Sequence, residues 1–139
     1  MCIRDRSGSG IQTRKLNSYD GLGRYASETI PEWSAGTGTA GTSSYVYDAV
    51  SSSGCTSSSA GDLVESTDNI GNVTCNTYDS MHRLLSSKVV SGLYSGTATP
   101  YSYYVYDAAT YSGTSMQNVA GQLAEAYTCT CLLYTSRCV

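Results

Sequence analysis

The sequence predicts an all-β chain of antiparallel β-hairpin repeats, which form a slice of a curved sheet or an open shell. Three observations predict it. Tyrosine, threonine and valine, which favour strands, number 13, 16 and 9 among 139 residues. Glycine- and serine-rich stretches interrupt the chain, and no segment has a sustained helical period. Tyr-Asp pairs recur at a nearly fixed spacing.

The composition also predicts a thin hydrophobic core. Leucine, isoleucine and valine together supply only 22 of the 139 residues, and phenylalanine is absent. Charged residues make up 14% of the chain, and the formal net charge is −3. No apolar run approaches the roughly 20 residues that a membrane span needs. The balance of charges gives no basic surface for nucleic acid, and a coiled coil or helical bundle is excluded by the same composition.

The two termini have coding patterns that mirror each other. Residues 1–5 can be encoded as ATG TGT ATA AGA GAC, and the reverse complement of this string plus one A encodes residues 131–135 and the first base of the Ser136 codon. Residues 137–139 fit AGA TGT GTA, which a TAA stop follows in the same string. These ends resemble the translated mosaic end of a transposon-based sequencing library. We therefore predict adapter-like scars at residues 1–6 and 131–139, and assign the repeat region to residues 7–130.

This division changes the meaning of the cysteine count. Three of the six cysteines lie in the predicted scars. The others are widely spaced and fit neither a CxxC metal pattern nor a disulfide framework; they are Cys55, Cys75 and Cys129. Residues 7–130 carry five basic and ten acidic residues, so the repeat region is mildly acidic, with a net charge of −5.

An internal repeat with a unit of about 59 residues organises this region. The Tyr-Asp pairs begin at Tyr19, Tyr47, Tyr78 and Tyr106, so the interval from the first to the third equals the interval from the second to the fourth. Residues 17–54 align with residues 76–113 without a gap, and one inserted residue later residues 61–65 align with residues 121–125. A fixed period is typical of repeat proteins, in which each unit packs on its neighbours.

Several aspartates occupy positions where an aspartate side chain stabilises a tight turn. In residues 20–23, Asp20 occupies the first turn position and Gly23 the fourth, where positive φ is needed, and this pattern predicts a type I hairpin turn with a bulge. Asp68 and Gly71 repeat the chemistry, whereas the turn that begins at Asp79 has His82 at the glycine position. Arginine follows two of these turns, and we expect it to pair with nearby acids or cover the strand surface. The predicted turn-motif residues are Asp20, Gly23, Arg24, Asp68, Gly71, Asp79, His82 and Arg83. The predicted repeat residues are Tyr19, Tyr47, Asp48, Tyr78, Tyr106 and Asp107.

The segments that flank the turns are predicted to be strands, because they alternate and are rich in β-formers. In chain order they are Ile11–Tyr19, Arg24–Ile30, Thr42–Tyr47, Asp62–Thr67, Asn72–Tyr78, Arg83–Val90, Tyr101–Tyr106 and Gln122–Tyr127. The stretches Ser34–Gly41 and Ser51–Ala60 are predicted to be loops, because they are dominated by serine and glycine.

Residues 78–86, Tyr-Asp-Ser-Met-His-Arg-Leu-Leu-Ser, resemble the Tyr-Asp-x-x-Gly-Arg-Leu unit of the YD-repeat or rearrangement-hotspot (Rhs) proteins. Residues 19–24 are a second match, and residues 68–74 resemble the segment that links strands in that family. Asp48 and Asp107 depart from the pattern, because a loop of about a dozen residues precedes the next Gly-x-Leu element. The resemblance covers residues 16–127.

The resemblance implies a slice of a bacterial shell wall. Members of that family are large exported or cell-surface proteins whose β-hairpins wind into a shell, often around a C-terminal toxin segment. The expected partners are neighbouring repeats of the same parent chain and an enclosed toxin segment, with no nucleic acid, no membrane span and no cofactor. A slice leaves strand edges without neighbours, so we predict that the isolated chain is marginally stable, aggregation-prone or oligomeric.

Candidate chemistry in the sequence is sparse, and we predict a non-enzymatic chain with no catalytic residue and no metal site. His82 is the only histidine and falls at a turn position, so no Ser-His-Asp or Cys-His arrangement has an orienting partner. The aspartates recur at the repeat spacing, as turn residues do, and residues 68–72 lack the alternating ligands of a calcium loop.

A second function class stays open from the sequence. Exposed aromatic side chains at repeated positions can stack on cell-surface glycans, and the candidate stacking residues are Trp33, Tyr45 and Tyr104. Burial distinguishes the two classes: interdigitated tyrosines favour a wall, whereas a solvent-facing row with Trp33 favours a carbohydrate-binding module.

Overall fold

The computed structural model describes residues 15–30, 41–49, 54–92, 101–111 and 113–129. Within these ranges the chain is all-β, with no helix. The strands are β1 (Lys15–Tyr19), β2 (Tyr25–Ile30), β3 (Gly41–Ala49), β4 (Ser58–Thr67), β5 (Val73–Tyr78), β6 (Leu84–Ser91), β7 (Tyr101–Tyr106), β8 (Thr110–Tyr111), β9 (Thr114–Ser115) and β10 (Leu123–Cys129).

Eight of these strands form one open antiparallel sheet. Its order is β1-β2-β3-β4-β5-β6-β7-β10, so strands that follow one another in the chain lie side by side. Strands β8 and β9 form a separate small hairpin between β7 and β10. The predicted all-β class and the antiparallel hairpins are therefore confirmed. Among the described residues, β1 and β10 are the two edges of the sheet.

The second half of the sheet repeats the strand register of the first half. Tyr47 pairs with Leu63 between β3 and β4, and Tyr106 pairs with Leu123 between β7 and β10. These are equivalent positions in the sequence alignment. In both pairings the register shifts at the next pair, because β4 has one extra residue directly after Leu63 and β10 has one directly after Leu123. The repeat is thus a repeat of backbone pairing as well as of sequence.

The hairpins β1–β2 and β5–β6 agree near their turns and differ farther away. Ser18 pairs with Ser27, and their counterparts Thr77 and Ser86 also pair. Beyond this point β1 has a register shift between Leu16 and Ser18 that β5 lacks at the equivalent place. A bulge of this kind is common where a strand lies at a sheet edge.

The buried apolar core is thin, as the composition predicts. Among the described residues, the buried apolar side chains are Val64, Cys55 and Cys75. Polar groups share the interior, because Glu28 and Glu65 are also buried. The Tyr45 hydroxyl donates a hydrogen bond of 2.8 Å to Glu28 Oε1, which supplies a partner for a carboxylate that is only 2% exposed.

One predicted loop and the facing ends of two predicted strands need correction. The expected loop Ser51–Ala60 is wrong over its last residues, because β4 begins at Ser58. Asp48 and Ala49 pair with Ser59 and Ser58, so the β3–β4 hairpin continues beyond the predicted strand ends. The β8–β9 hairpin has no counterpart among the predicted strands, because its strands of two residues are too short to show a periodic pattern.

The remaining strand predictions agree with the structure to within a few residues where they can be compared. Strand β10 extends beyond its predicted end to Cys129. Several predictions fall on parts of the chain outside the described residues: both predicted scars, residues 11–14 of the first predicted strand, residues 34–40 and 51–53 of the predicted loops, and Trp33.

The spacing of the cysteines left open whether any of them form a disulfide. Cys55 and Cys75 form a disulfide with a Cα–Cα distance of 5.5 Å, across a sequence separation of 20 residues. Cys55 precedes β4 in the first repeat and Cys75 lies in β5 of the second. Sequence spacing could not show this pairing, because the β4–β5 hairpin brings the two positions together only after folding.

No helix in the described ranges has the length and apolar character that crossing a membrane requires.

Candidate functional site

The most organised polar site in the described residues is a cluster of two aspartates around one arginine, and it occurs twice. The first cluster consists of Asp20, Arg24 and Asp48, and the second consists of Asp79, Arg83 and Asp107. In each, the first aspartate and the arginine flank a hairpin turn. The second aspartate lies at the end of the strand that follows this hairpin in the sheet.

Each hairpin turn fixes the first aspartate and its arginine. Asp20 Oδ1 accepts hydrogen bonds from the backbone N–H groups of Leu22 and Arg24, at 2.9 and 2.8 Å. The Gly23 N–H donates to the Asp20 carbonyl at 3.0 Å, and Gly23 has φ of 76°. The other carboxylate oxygen, Asp20 Oδ2, points to the arginine, and Arg24 Nε donates to it at 2.7 Å.

The second turn has the same geometry with histidine at the glycine position. Asp79 Oδ1 accepts from Met81 N and Arg83 N at 2.8 and 3.0 Å, and Arg83 Nε donates to Asp79 Oδ2 at 2.6 Å. His82 has φ of 61°, in the left-handed region. Its Nδ1 lies 2.8 Å from Asp62 Oδ2, a contact between the turn and β4.

A third turn uses the aspartate chemistry without an arginine. Asp68 Oδ1 accepts from Ile70 N and Asn72 N, at 3.0 and 2.8 Å, and Gly71 has φ of 89°. Asn72 stands where the other turns have arginine, and its Nδ2 donates to Asp68 Oδ2 at 2.7 Å. The Asp68 turn therefore links β4 to β5 through an amide in place of the guanidinium of the two clusters.

The second aspartate of each cluster closes the site. Arg24 Nη1 donates to Asp48 Oδ1 at 3.0 Å, and Arg24 Nη2 to Asp48 Oδ2 at 2.5 Å, which is a two-point contact between guanidinium and carboxylate. Asp48 Oδ1 also accepts from Gly61 N at 2.6 Å. Asp48 has φ of 68°, a left-handed conformation that aspartate tolerates better than most residues.

The second cluster reproduces these contacts. Arg83 Nη1 and Nη2 donate to the two carboxylate oxygens of Asp107 at 3.2 and 2.6 Å, and Gly121 N donates to Asp107 Oδ1 at 2.7 Å. Asp107 has φ of 67°. A tyrosine ring completes each cluster, because Arg24 Cζ lies 4.4 Å from the Tyr47 ring centroid and Arg83 Cζ lies 4.4 Å from that of Tyr106.

The charges in the clusters stabilise one another. Hydrogen bonds from Arg24 and from the Gly61 N–H lower the pKa of Asp48 to about 2. Hydrogen bonds from Arg83 and Gly121 lower the pKa of Asp107 in the same way. For Asp20, desolvation raises the pKa, but the hydrogen bonds from Arg24 and from backbone N–H groups outweigh it and the pKa is lowered. All of these aspartates are therefore charged near neutral pH.

Within each cluster, the guanidinium and both carboxylates form hydrogen bonds to one another or to backbone N–H groups. Each guanidinium contacts two carboxylates and one ring, and each carboxylate accepts bonds from backbone and side chain together. No group of three or more histidine, cysteine, aspartate or glutamate residues in the described part of the chain has a geometry that could hold a metal ion.

A cavity lies beside the disulfide. It has a volume of about 190 Å³ and is lined by Cys55, Cys75, Thr77, Ser86, Lys88 and Tyr101, among others. Lys88 Nζ lies 5.4 Å from the Tyr101 ring centroid. Among the described residues, the lining contains hydroxyl groups and one amine but no histidine or carboxylate to act as a base.

The predicted arginines and repeat aspartates lie together in the two clusters. Arg24 and Arg83 do pair with nearby acids. Asp48 and Asp107 belong to the same sites as these arginines rather than to independent turns, which a sequence separation of 24 residues from each arginine concealed. The contributions of the Gly61 and Gly121 N–H groups were also missed. The Gly-x-Leu elements follow Asp48 and Asp107 at matching positions of the two repeats, and this match was the sequence feature from which the glycine contacts could have been predicted.

The predicted repeat tyrosines make internal contacts. The Tyr47 hydroxyl donates to the Tyr25 carbonyl at 3.1 Å, and the Tyr78 hydroxyl donates to the Leu63 carbonyl at 2.9 Å. The candidate stacking residues Tyr45 and Tyr104 are half-buried, and Tyr19 is exposed. Trp33, the other candidate stacking residue, lies outside the described residues.

Comparison of the chain with protein-family models, with curated proteins and with solved structures found no match in any of the three.

Proposed function

We propose that this chain is a non-enzymatic structural segment of a larger bacterial exported or cell-surface protein of the Rhs type. In this proposal its strands form part of a β wall that encloses or displays another segment, such as a C-terminal toxin. The observation that carries the proposal is the duplication of the Asp–Arg–Asp cluster together with the strand register around it.

The bonding within the clusters supports a structural role. Each arginine joins its own hairpin to the next strand of the sheet, so it ties three strands together. Because the guanidinium contacts the two carboxylates through all three of its nitrogens, the cluster fixes the relative position of hairpins rather than presenting a charge to a ligand.

The disulfide supports export. Cys55 and Cys75 are both buried, and their bond joins the first repeat to the second. Disulfides of this structural kind form and persist mainly in oxidising compartments, outside the cytosol. A wall segment of a secreted or surface protein would fold in such a compartment.

The proposal is tested by the DNA that flanks this coding sequence in its source. We expect further units of about 59 residues, each with an arginine four residues after the aspartate of a Tyr-Asp pair and a second Tyr-Asp pair about 28 residues on, as in the present chain. Flanking sequence without such units, or an enzyme domain into which this chain is inserted once, would contradict the proposal.

The alternative is a carbohydrate-binding repeat module, and a row of aromatic rings favours it. The ring centroids of Tyr19 and Tyr25 are 6.2 Å apart, and those of Tyr25 and Tyr45 are 5.1 Å apart. Tyr19 is the exposed member of this row and can stack on a sugar ring, whereas Tyr25 and Tyr45 are half-buried and the Tyr45 hydroxyl is bonded to the buried Glu28. Binding to a glycan array that is lost in Trp33→Ala or Tyr19→Ala would favour this alternative, whereas the absence of binding would favour the wall.

A further inference from the structure

The two edge strands carry a set of exposed apolar side chains. Leu16 and Tyr19 in β1 are 54% and 57% exposed, and Leu123 and Tyr127 in β10 are 51% and 40% exposed. Neither β1 nor β10 contains a proline, and each has a single charged residue, a lysine in β1 and a glutamate in β10. Proline and clusters of charge, which commonly protect edge strands, are absent from β1 and β10, and the bulge in β1 is the protecting feature that is present.

Strands equivalent to the two edge strands pair with each other in the interior of the same sheet. By the repeat alignment, β5 is the counterpart of β1, and β4 is the counterpart of β10. Strands β4 and β5 pair antiparallel, with Glu65 opposite Cys75 and Ser66 opposite Thr74. The chain therefore already contains one junction between a β10-type strand and a β1-type strand.

Side chains secure that internal junction at one carbonyl group. Asn76 Nδ2 and the Tyr78 hydroxyl both donate to the Leu63 carbonyl, at 3.0 and 2.9 Å. Tyr78 is half-buried there, and burial raises the pKa of its hydroxyl. The counterparts of the two donors are Asn17 and Tyr19 in β1, and the counterpart of Leu63 is Leu123 in β10.

We propose that β10 of one copy of this chain pairs antiparallel with β1 of a second copy, in the manner of β4 and β5. Tyr19 of the second copy donates to the Leu123 carbonyl of the first, as Tyr78 donates to the Leu63 carbonyl. Asn17 lies at the β1 bulge, and its Nδ2 donates to Thr29 Oγ1 within its own chain, so it has no part in this contact. Strand directions allow this, since the strands alternate in direction through the sheet and β1 and β10 run opposite to each other. The inference rests on the proposed structural role and names its partner, a second copy of the chain.

The pairing is head-to-tail, because it joins two different edges. Every added copy leaves one β1 edge and one β10 edge unpaired, so assembly stays open-ended unless curvature closes it. This property distinguishes the proposal from a symmetric dimer, in which β1 pairs with β1 or β10 pairs with β10.

The test is sedimentation velocity of the full chain over a range of concentrations, with non-reducing gels to exclude disulfide-linked species. We expect the wild-type chain to form species beyond the dimer as concentration rises. Tyr19→Glu and Leu123→Glu each place a carboxylate at one edge, at positions exposed in the single copy. Each variant should dissociate at least about tenfold more readily, because a carboxylate without a partner is buried at the junction, and Tyr19→Glu also removes the hydroxyl donor to the Leu123 carbonyl.

The mixture of the two variants gives the sharpest result. Tyr19→Glu retains a native β10 edge and Leu123→Glu retains a native β1 edge, so an equimolar mixture should form a 1:1 dimer and stop there. Leu22→Glu, at a turn position that is 77% exposed, is the matched control and should associate like the wild type. Tyr19→Phe keeps the ring next to Tyr25 and should weaken association by a smaller factor.

Each other outcome overturns the pairing. A wild-type chain that stays monomeric, a mixture that stays monomeric while both variants retain their circular dichroism, or a Leu123→Glu variant that alone associates as readily as the wild type would do so. A monomeric wild type would leave the structural proposal standing if the flanking DNA encodes further units, because the covalent neighbours would then occupy both edges.

Discussion

At the residue scale, the arginine is the centre of each cluster. Arg24 contacts Asp20 through Nε and Asp48 through both terminal nitrogens, and its guanidinium lies near the Tyr47 ring. Lysine has one nitrogen and no planar group, so it cannot make this set of contacts. The sequence indicated that the arginine would pair with acids, but it could not show that two aspartates from different strands share it.

Arg24→Lys and Arg83→Lys should therefore destabilise the fold to a similar extent, since the two clusters make the same contacts. Chemical denaturation of both variants measures this. Lys88→Arg, at an exposed position outside the clusters, is the control and should leave the denaturation midpoint nearly unchanged. A large loss in one arginine variant and none in the other would show that the clusters are not equivalent.

The lowered pKa of Asp48 predicts an acid-dependent loss of stability. Its pKa is about 2 in the folded chain against an ordinary value of 3.8, so its contribution is fully present above about pH 4 and is lost as the pH falls toward 2. The melting temperature of Asp48→Asn should therefore change less steeply over this interval than that of the wild type. If the melting temperatures of the two proteins fall equally steeply between about pH 4 and about pH 2, the lowered pKa of Asp48 is contradicted.

At the element scale, turns and strand pairing were largely predictable, whereas the links between hairpins were not. Local chemistry placed the turn at Asp20, because the aspartate and glycine positions are close together in sequence. The early start of β4 and the disulfide depend on contacts made across the sheet. Such contacts join distant positions, which periodicity within one segment cannot reveal.

Cys75→Ser should lower the free energy of unfolding by about 3 kcal/mol under oxidising conditions, because the cross-link closes a chain segment of moderate length and restricts the unfolded state. Urea denaturation with and without a reductant measures the loss. Cys129→Ser leaves the Cys55–Cys75 bond in place and is the control. Equal stability of the Cys75→Ser variant and the oxidised wild type would contradict a structural role for the bond.

Gly92 follows β6 at a position where only glycine fits. It has φ of 102°, and an added Cβ would lie 2.5 Å from the Asn72 Cα atom. We expect Gly92→Ala to destabilise the chain by about 1–3 kcal/mol, because both the backbone angle and the close approach resist a side chain. Gly21→Ala is the matched control, since a Cβ there meets nothing within 4 Å. Equal melting temperatures for the two variants would contradict this packing.

At the scale of the whole molecule, the chain is an open sheet whose two halves are built alike. Few apolar side chains are buried in the described ranges, and ion pairs, turns and one disulfide hold neighbouring hairpins together. The sequence predicted the class, the repeat and the thin core because all three follow from composition and period. The marginal stability of the isolated chain stays a prediction, and it follows from the same open edges.

The most direct test of the repeat is hydrogen exchange of the full chain, resolved by residue. The backbone N–H groups that donate to cluster aspartates should be protected in matching pairs: Leu22 with Met81, Arg24 with Arg83, and Gly61 with Gly121. Similar protection within each pair is the result that two equivalent units predict. Protection in the first half alone, with rapid exchange at Met81, Arg83 and Gly121, would contradict the account.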